Sequence, residues 1–161
     1  MNLIISWLGD IWEWLARRFT VPPGDGRMRT AAFVRYSGAN GLGHVGWGFD
    51  YNDAVVNAGS VENPKGTPTC PVATMGYWSE FLANPIPTVT KNGYDSLKYL
   101  NLEQANPVRA YRVAKWVATQ PYDVVGRNCL DDTYDVVRAY GFPKPQPPSD
   151  DLFPGAWFGL L

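Results

Sequence analysis

Residues 44–59 read HVGWGFDYNDAVVNAG, two runs of β-forming residues on either side of Tyr51-Asn52-Asp53. Over 44–50 the chain alternates, with Val45, Trp47 and Phe49 on one face and His44, Gly46, Gly48 and Asp50 on the other. That is the period-two pattern of a strand with one face in a core. AVVNAG, residues 54–59, is rich in the same residue types, and the turn between the runs makes the pair an antiparallel hairpin. A hairpin alone buries too little, so flanking segments must supply further strands and a helical cover.

Upstream, TAAFVRY (30–36) reads as a third strand, joined to the hairpin by the glycine-rich SGANGLG. GANGLG precedes a strand, whereas phosphate-binding glycine loops open a helix, so no phosphate site is expected there. Downstream, 60–74 is irregular, with Pro64, Pro68 and Pro71. MGYWSEFLAN (75–84) reads as a short helix ended by Pro85, and 86–102 as a strand region with Asn92-Gly93 as its turn. Asn106-Pro107 is a helix start, an asparagine cap followed by a proline whose fixed φ suits the first helical position. That helix, 107–119, buries Ala110, Tyr111, Ala114, Val117 and Ala118. PYDVVGR (121–127) then leads into a second helix, capped by Asn128 and stopped by Gly141, with Leu130, Tyr134 and Val137 as its apolar stripe. The proline-rich tail from Phe142 is expected to run extended, with Leu152, Phe153, Trp157 and Phe158 seeking cover. Together these elements predict one α+β domain over 30–141, an antiparallel sheet with helices on one face.

At the other end, residues 1–19 form an amphipathic helix by pattern, with Ile4, Leu8, Ile11 and Leu15 on one face, and 20–29 (TVPPGDGRMR) a linker. The segment has no basic leader and no small-residue cleavage site, and Asp10, Glu13, Arg17 and Arg18 interrupt it too early for a membrane span. Its apolar face predicts packing on the domain or on a second copy, and its tryptophans suit a membrane interface as the alternative. The default location is cytoplasmic. A chain of 161 residues with 45% hydrophobic residues can bury a core, and a net charge of −1 without a basic cluster argues against a nucleic-acid partner.

Two cysteines, Cys70 and Cys129, and a single histidine, His44, bound the chemistry. Two cysteines make no disulfide framework and fit a reducing compartment. A zinc site from His44, Cys70 and Cys129 lacks any paired ligand spacing, and no metal or organic cofactor is implied. Cys129 is the more informative thiol, because it opens the 129–140 helix. A thiolate is the reactive form of cysteine, and both helix-terminal partial charge and a nearby imidazole favour it. His44 is the one imidazole able to act as that base. A third group usually holds such a ring through its other nitrogen. Asn57, near the end of the second hairpin strand, has the right chemistry, and Glu62 is a second candidate for that role or for a substrate contact. Asp131 and Asp132 lie within a turn of the thiol and work against the thiolate unless they face solvent. Cys70, between Thr69 and Pro71 in an irregular loop, is expected to be incidental.

His44-Val-Gly-Trp at a strand start, a polar residue late in the next strand, and Asn128-Cys129 opening a late helix resemble the circularly permuted papain-like hydrolases. These are related to the NlpC/P60 peptidases and the lecithin retinol acyltransferase-like enzymes. The resemblance covers residues 30–141. It implies a permuted papain-like cysteine peptidase fold with Cys129 as nucleophile, His44 as general base and Asn57 as the third polar residue. It implies an oxyanion role for Tyr122, with the Cys129 N–H as the backbone donor; Asn128, Trp47 and Glu62 are further candidates for oxyanion or substrate binding. The bond it implies is an amide, in a peptide, an isopeptide or a peptidoglycan stem. Thioester or acyl-transfer chemistry on lipid-like acyl groups, and a catalytically silent binding module, stand as alternatives.

Overall fold

The computed structural model describes residues 29–52, 54–100, 102, 104–144 and 153–161. The expected N-terminal helix and all but the last residue of the linker lie outside them. The α+β expectation holds at the level of an antiparallel sheet packed against helices. Strands β1 (Thr30–Arg35), β2 (His44–Asn52), β3 (Val55–Glu62), β5 (Gly76–Leu82) and β6 (Ser96–Leu100) form one sheet in the order β5-β3-β2-β1-β6. All its pairings are antiparallel. Two-residue strands β4 (Thr69–Cys70) and β7 (Tyr122–Asp123) pair separately. Helices α1 (Ile86–Lys91), α2 (Pro107–Val117), α3 (Cys129–Tyr140) and α4 (Pro154–Leu160) complete the described fold.

The alternation in 44–50 divides the sheet into two buried faces. Val45, Trp47 and Phe49 join Ala32, Val34 and Val61 under α2, α3 and α4. Leu130, Val136, Val137 and Tyr140 of α3 are almost fully covered there, each contributing about 1.5–3 kcal/mol of burial. Phe49 and Tyr140 stack with centroids 5.4 Å apart. The opposite face, which carries His44, Gly46 and Gly48, holds a second cluster of Ala31, Phe33, Ala58, Val89, Tyr94 and Leu97, roofed by α1. This corrects the expectation of helices on one face. The glycines of β2 explain it: a Cβ on Gly48 would stand 2.6 Å from the Phe33 ring, and one on Gly46 would stand 3.0 Å from the Tyr94 hydroxyl. Gly48 is bare because the Phe33 ring fills the space, and Gly46 because the Gly59 carbonyl, 2.7 Å from such a Cβ, and the Tyr94 hydroxyl do.

Four more segments differ from expectation. The 75–84 stretch is not a helix but strand β5, paired over its whole length with β3. Its Tyr, Trp and Phe are β-formers that alternate between the faces, and cross-strand packing outweighs the helical spacing. Residues 86–91 are helical rather than extended: Pro85 and Pro87 hold φ near the helical value, and the Asn84 side chain accepts the Ile86 N–H at 3.0 Å. The strand of that region is confined to 96–100. The C-terminal tail is not wholly extended, because α4 inserts Trp157 and Phe158 into the core and Lys98 donates to the Phe158 carbonyl at 2.8 Å. Finally, β3 continues to Glu62, three residues beyond the expected end of the strand.

Candidate active site

The extra length of β3 decides which side chains meet His44. In the hairpin register Trp47 lies opposite Gly59 and Phe49 opposite Asn57. Continued to the strand ends, that register puts Glu62 across from His44 and Ser60 across from Gly46. Asn57 is displaced by an odd number of residues, so its side chain is on the other face of the sheet. There it accepts the Trp47 indole N–H at 3.2 Å and donates to Ser79 Oγ at 3.0 Å. Asn57 is a buried bridge between strands, and the expected contact with the imidazole is not made. Trp47, a candidate for substrate binding, is fully buried in the core.

His44 is held from one side by Ser60, whose Oγ is 2.9 Å from Nε2. Glu62 Oε1 lies 3.6 Å from the same nitrogen, an ion-pair distance. Because Ser60 Oγ also reaches the Val45 carbonyl at 3.3 Å, it donates there and accepts from Nε2–H. Nδ1 is then the nitrogen free to exchange a proton with a nucleophile. The Tyr94 ring lies over the imidazole at 5.8 Å. Sequence reasoning missed Ser60 and Tyr94. Ser60 was legible once β3 was run on to Glu62, since it then shares His44's face; Tyr94 follows a turn and carried no such signal.

The other half is built by the start of α3. Asn128 caps the helix with Oδ1 accepting the Leu130 N–H at 2.8 Å, while the Asp131 carboxylate accepts the Asn128 N–H at 3.0 Å. Asn128 Nδ2 donates to the Val124 carbonyl at 3.0 Å, so its amide is committed to capping, not to a substrate. This reciprocal cap fixes Cys129 as the first helical residue. Cys129 is 1% exposed, yet polar groups meet its sulfur: the His44 imidazole, the Tyr122 hydroxyl and the Val45 backbone N–H. Tyr122, paired with Cys70 across β4–β7, brings its hydroxyl next to the Cys129 N–H as well as the sulfur.

The two titrating groups push each other toward the charged pair. Burial alone would raise the thiol and lower the imidazole. Against it, the His44 charge and hydrogen bond, the Val45 N–H and Tyr122 bring Cys129 below its ordinary value. The Cys129 charge and hydrogen bond, then Glu62, raise His44 to about 9. Burial pushes the Tyr122 phenol up, so it stays protonated and can donate.

Asp131 and Asp132 do not face solvent; both are buried. The Arg127 guanidinium answers Asp132 at 2.6 Å and Asp135 at 2.7 Å and stacks on Trp116 at 4.4 Å. Arg127 thus offsets part of the Asp132 charge beside the thiol, while the Asp131 carboxylate takes the Asn128 N–H.

Among the described residues no group of three or more His, Cys, Asp or Glu side chains could hold a metal ion, and no helix is long and apolar enough to cross a membrane. No family model, curated protein or solved structure matches the chain.

Proposed function

We propose that this chain is a cysteine-dependent hydrolase of the permuted papain-like kind, acting on an amide bond. The observation that carries the reading is the contact between Cys129 at its helix start and His44, whose far nitrogen is held by Ser60 and Glu62. Cys129 attacks the carbonyl carbon as the thiolate, with the proton stored on His44. The tetrahedral oxyanion takes the Cys129 N–H, and the Tyr122 hydroxyl shifts its hydrogen bond from the sulfur to the oxyanion to complete a two-donor site. The C–N bond breaks as His44 Nδ1–H protonates the leaving amine. Water, deprotonated by His44, then opens the thioester and returns the thiol. Glu62, rather than Asn57, is the orienting residue of this reading.

The burial of Cys129 favours a second reading, a catalytically silent domain in which Cys129 and His44 form a structural ion pair. One experiment separates the two. Iodoacetamide at neutral pH, with the alkylated cysteine located by mass spectrometry, should label Cys129 faster than an ordinary thiol and much more slowly in His44→Ala. Labelling at an ordinary rate that is indifferent to His44→Ala sinks the hydrolase. Given fast labelling, a panel of peptide amides, muropeptides and acyl thioesters distinguishes amide cleavage from acyl-thioester chemistry.

A further inference from the structure

Beside the catalytic pair, a cavity of about 400 Å³ opens between the outer strand β5 and the end of α1. Its lining includes Glu62, Trp78, Glu80, Thr88, Lys91 and Asn92. Glu62 therefore has the imidazole on one side and this cavity on the other. Glu80 and Lys91 bring opposite charges to the same space, and among the described residues neither has an ion-pair partner. Two such groups facing one volume, within the size range of small-molecule sites, are complementary to a ligand that carries both charges. Thr88 and Asn92 add a hydroxyl and an amide, and Trp78 adds an aromatic wall.

We infer that this cavity binds the zwitterionic head of an amino acid, its ammonium on Glu80 and its carboxylate on Lys91, with the side chain against Trp78. If Cys129 is the nucleophile proposed above, that head belongs to the substrate, and the cavity is its recognition pocket beside Glu62.

Calorimetric titration of the full chain with L-phenylalanine, L-phenylalaninamide and N-acetyl-L-phenylalanine tests the assignment. Phenylalanine should bind, and each blocked form should bind about fivefold more weakly, as expected for losing one partly exposed ion pair. Glu80→Gln should abolish the advantage of the free ammonium, and Lys91→Met that of the free carboxylate. Both side chains are exposed, so these variants keep the fold. Equal binding of all three compounds, or none, overturns the proposal. Slower iodoacetamide labelling of Cys129 with phenylalanine bound would tie the pocket to the substrate; undiminished labelling would leave it as a site for a free amino acid. The two readings fail separately: an inert Cys129 with selective phenylalanine binding removes the hydrolase and keeps the pocket, and a reactive Cys129 without binding does the reverse.

Discussion

Cys70 and Cys129 are buried to the same degree, 1% exposed each, and both belong to the larger core cluster. Cys70 ends a two-residue strand, with its sulfur 3.4 Å from the Thr74 hydroxyl and no imidazole in contact. Cys129 begins a twelve-residue helix and meets an imidazole, a phenol and a backbone N–H. Burial therefore does not separate a structural thiol from a candidate nucleophile here; the identity of the neighbours does. Cys70 is the internal reference against which the reactivity of Cys129 can be measured in one sample.

Removing the imidazole should erase the contrast most completely. His44→Ala is expected to slow turnover about 10²- to 10⁴-fold, the range for losing a positioned base, and to bring Cys129 alkylation down to the Cys70 rate. Peptide mapping after timed iodoacetamide exposure reads both thiols at once.

The acidic first turn of α3 offers the next largest effect, on stability. Burial, outweighing the pull of Arg127, raises Asp132 to about 7. The folded protein then keeps a proton that the unfolded chain releases near pH 4, so between about pH 4 and 7 the native state binds more protons. Stability should fall as pH rises through that window, by up to about 1.4 kcal/mol per unit. Asp132→Asn should flatten the slope in denaturant titrations at a series of pH values. A slope of opposite sign would mean that Arg127 wins over burial.

How much of this was legible in the sequence follows from the range of each interaction. The Cys129 helix was readable because its signals are local: Asn128 caps it, and Gly141 stops it at φ 137°. The hairpin was readable from alternation alone. Its register was not, since the end of β3 is set by pairing with β5, a partner whose aromatics resembled a helix. That one error put Asn57 ahead of Glu62 as the neighbour expected beside the imidazole. The second core was hidden for a similar reason: Gly46 and Gly48 look like open space until Tyr94 and Phe33 are brought to them by the fold.

A smaller effect tests that correction. Cys129 first and Glu62 after it raise His44 to about 9, so Glu62→Gln should lower the imidazole by only part of that shift. In the proposed amide cleavage the protonated ring donates to the leaving amine, so the alkaline limb of the turnover–pH profile should move to lower pH. Well above pH 9 turnover should drop about tenfold, the equivalent of one pKa unit of coupling, and at pH 8 only about twofold. Asn57→Ala should leave that limb where it is, whatever it does to stability.

The smallest effect is expected at the reference thiol itself, and it is the one most able to undo the comparison. Cys70 is paired in register with Tyr122, whose hydroxyl touches Cys129, so the two sulfurs are joined through one short β-bridge. If β4–β7 merely closes the core, Cys70→Ala should cost about 1 kcal/mol in thermal or chemical unfolding, the price of a small cavity. Cys129 alkylation should then be unchanged. A Cys70→Ala protein that unfolds like wild type but labels Cys129 several-fold differently would show that this bridge sets the position of the Tyr122 hydroxyl. Cys70 would then be a positioning residue of the site, and the two thiols could not serve as independent measures of reactivity.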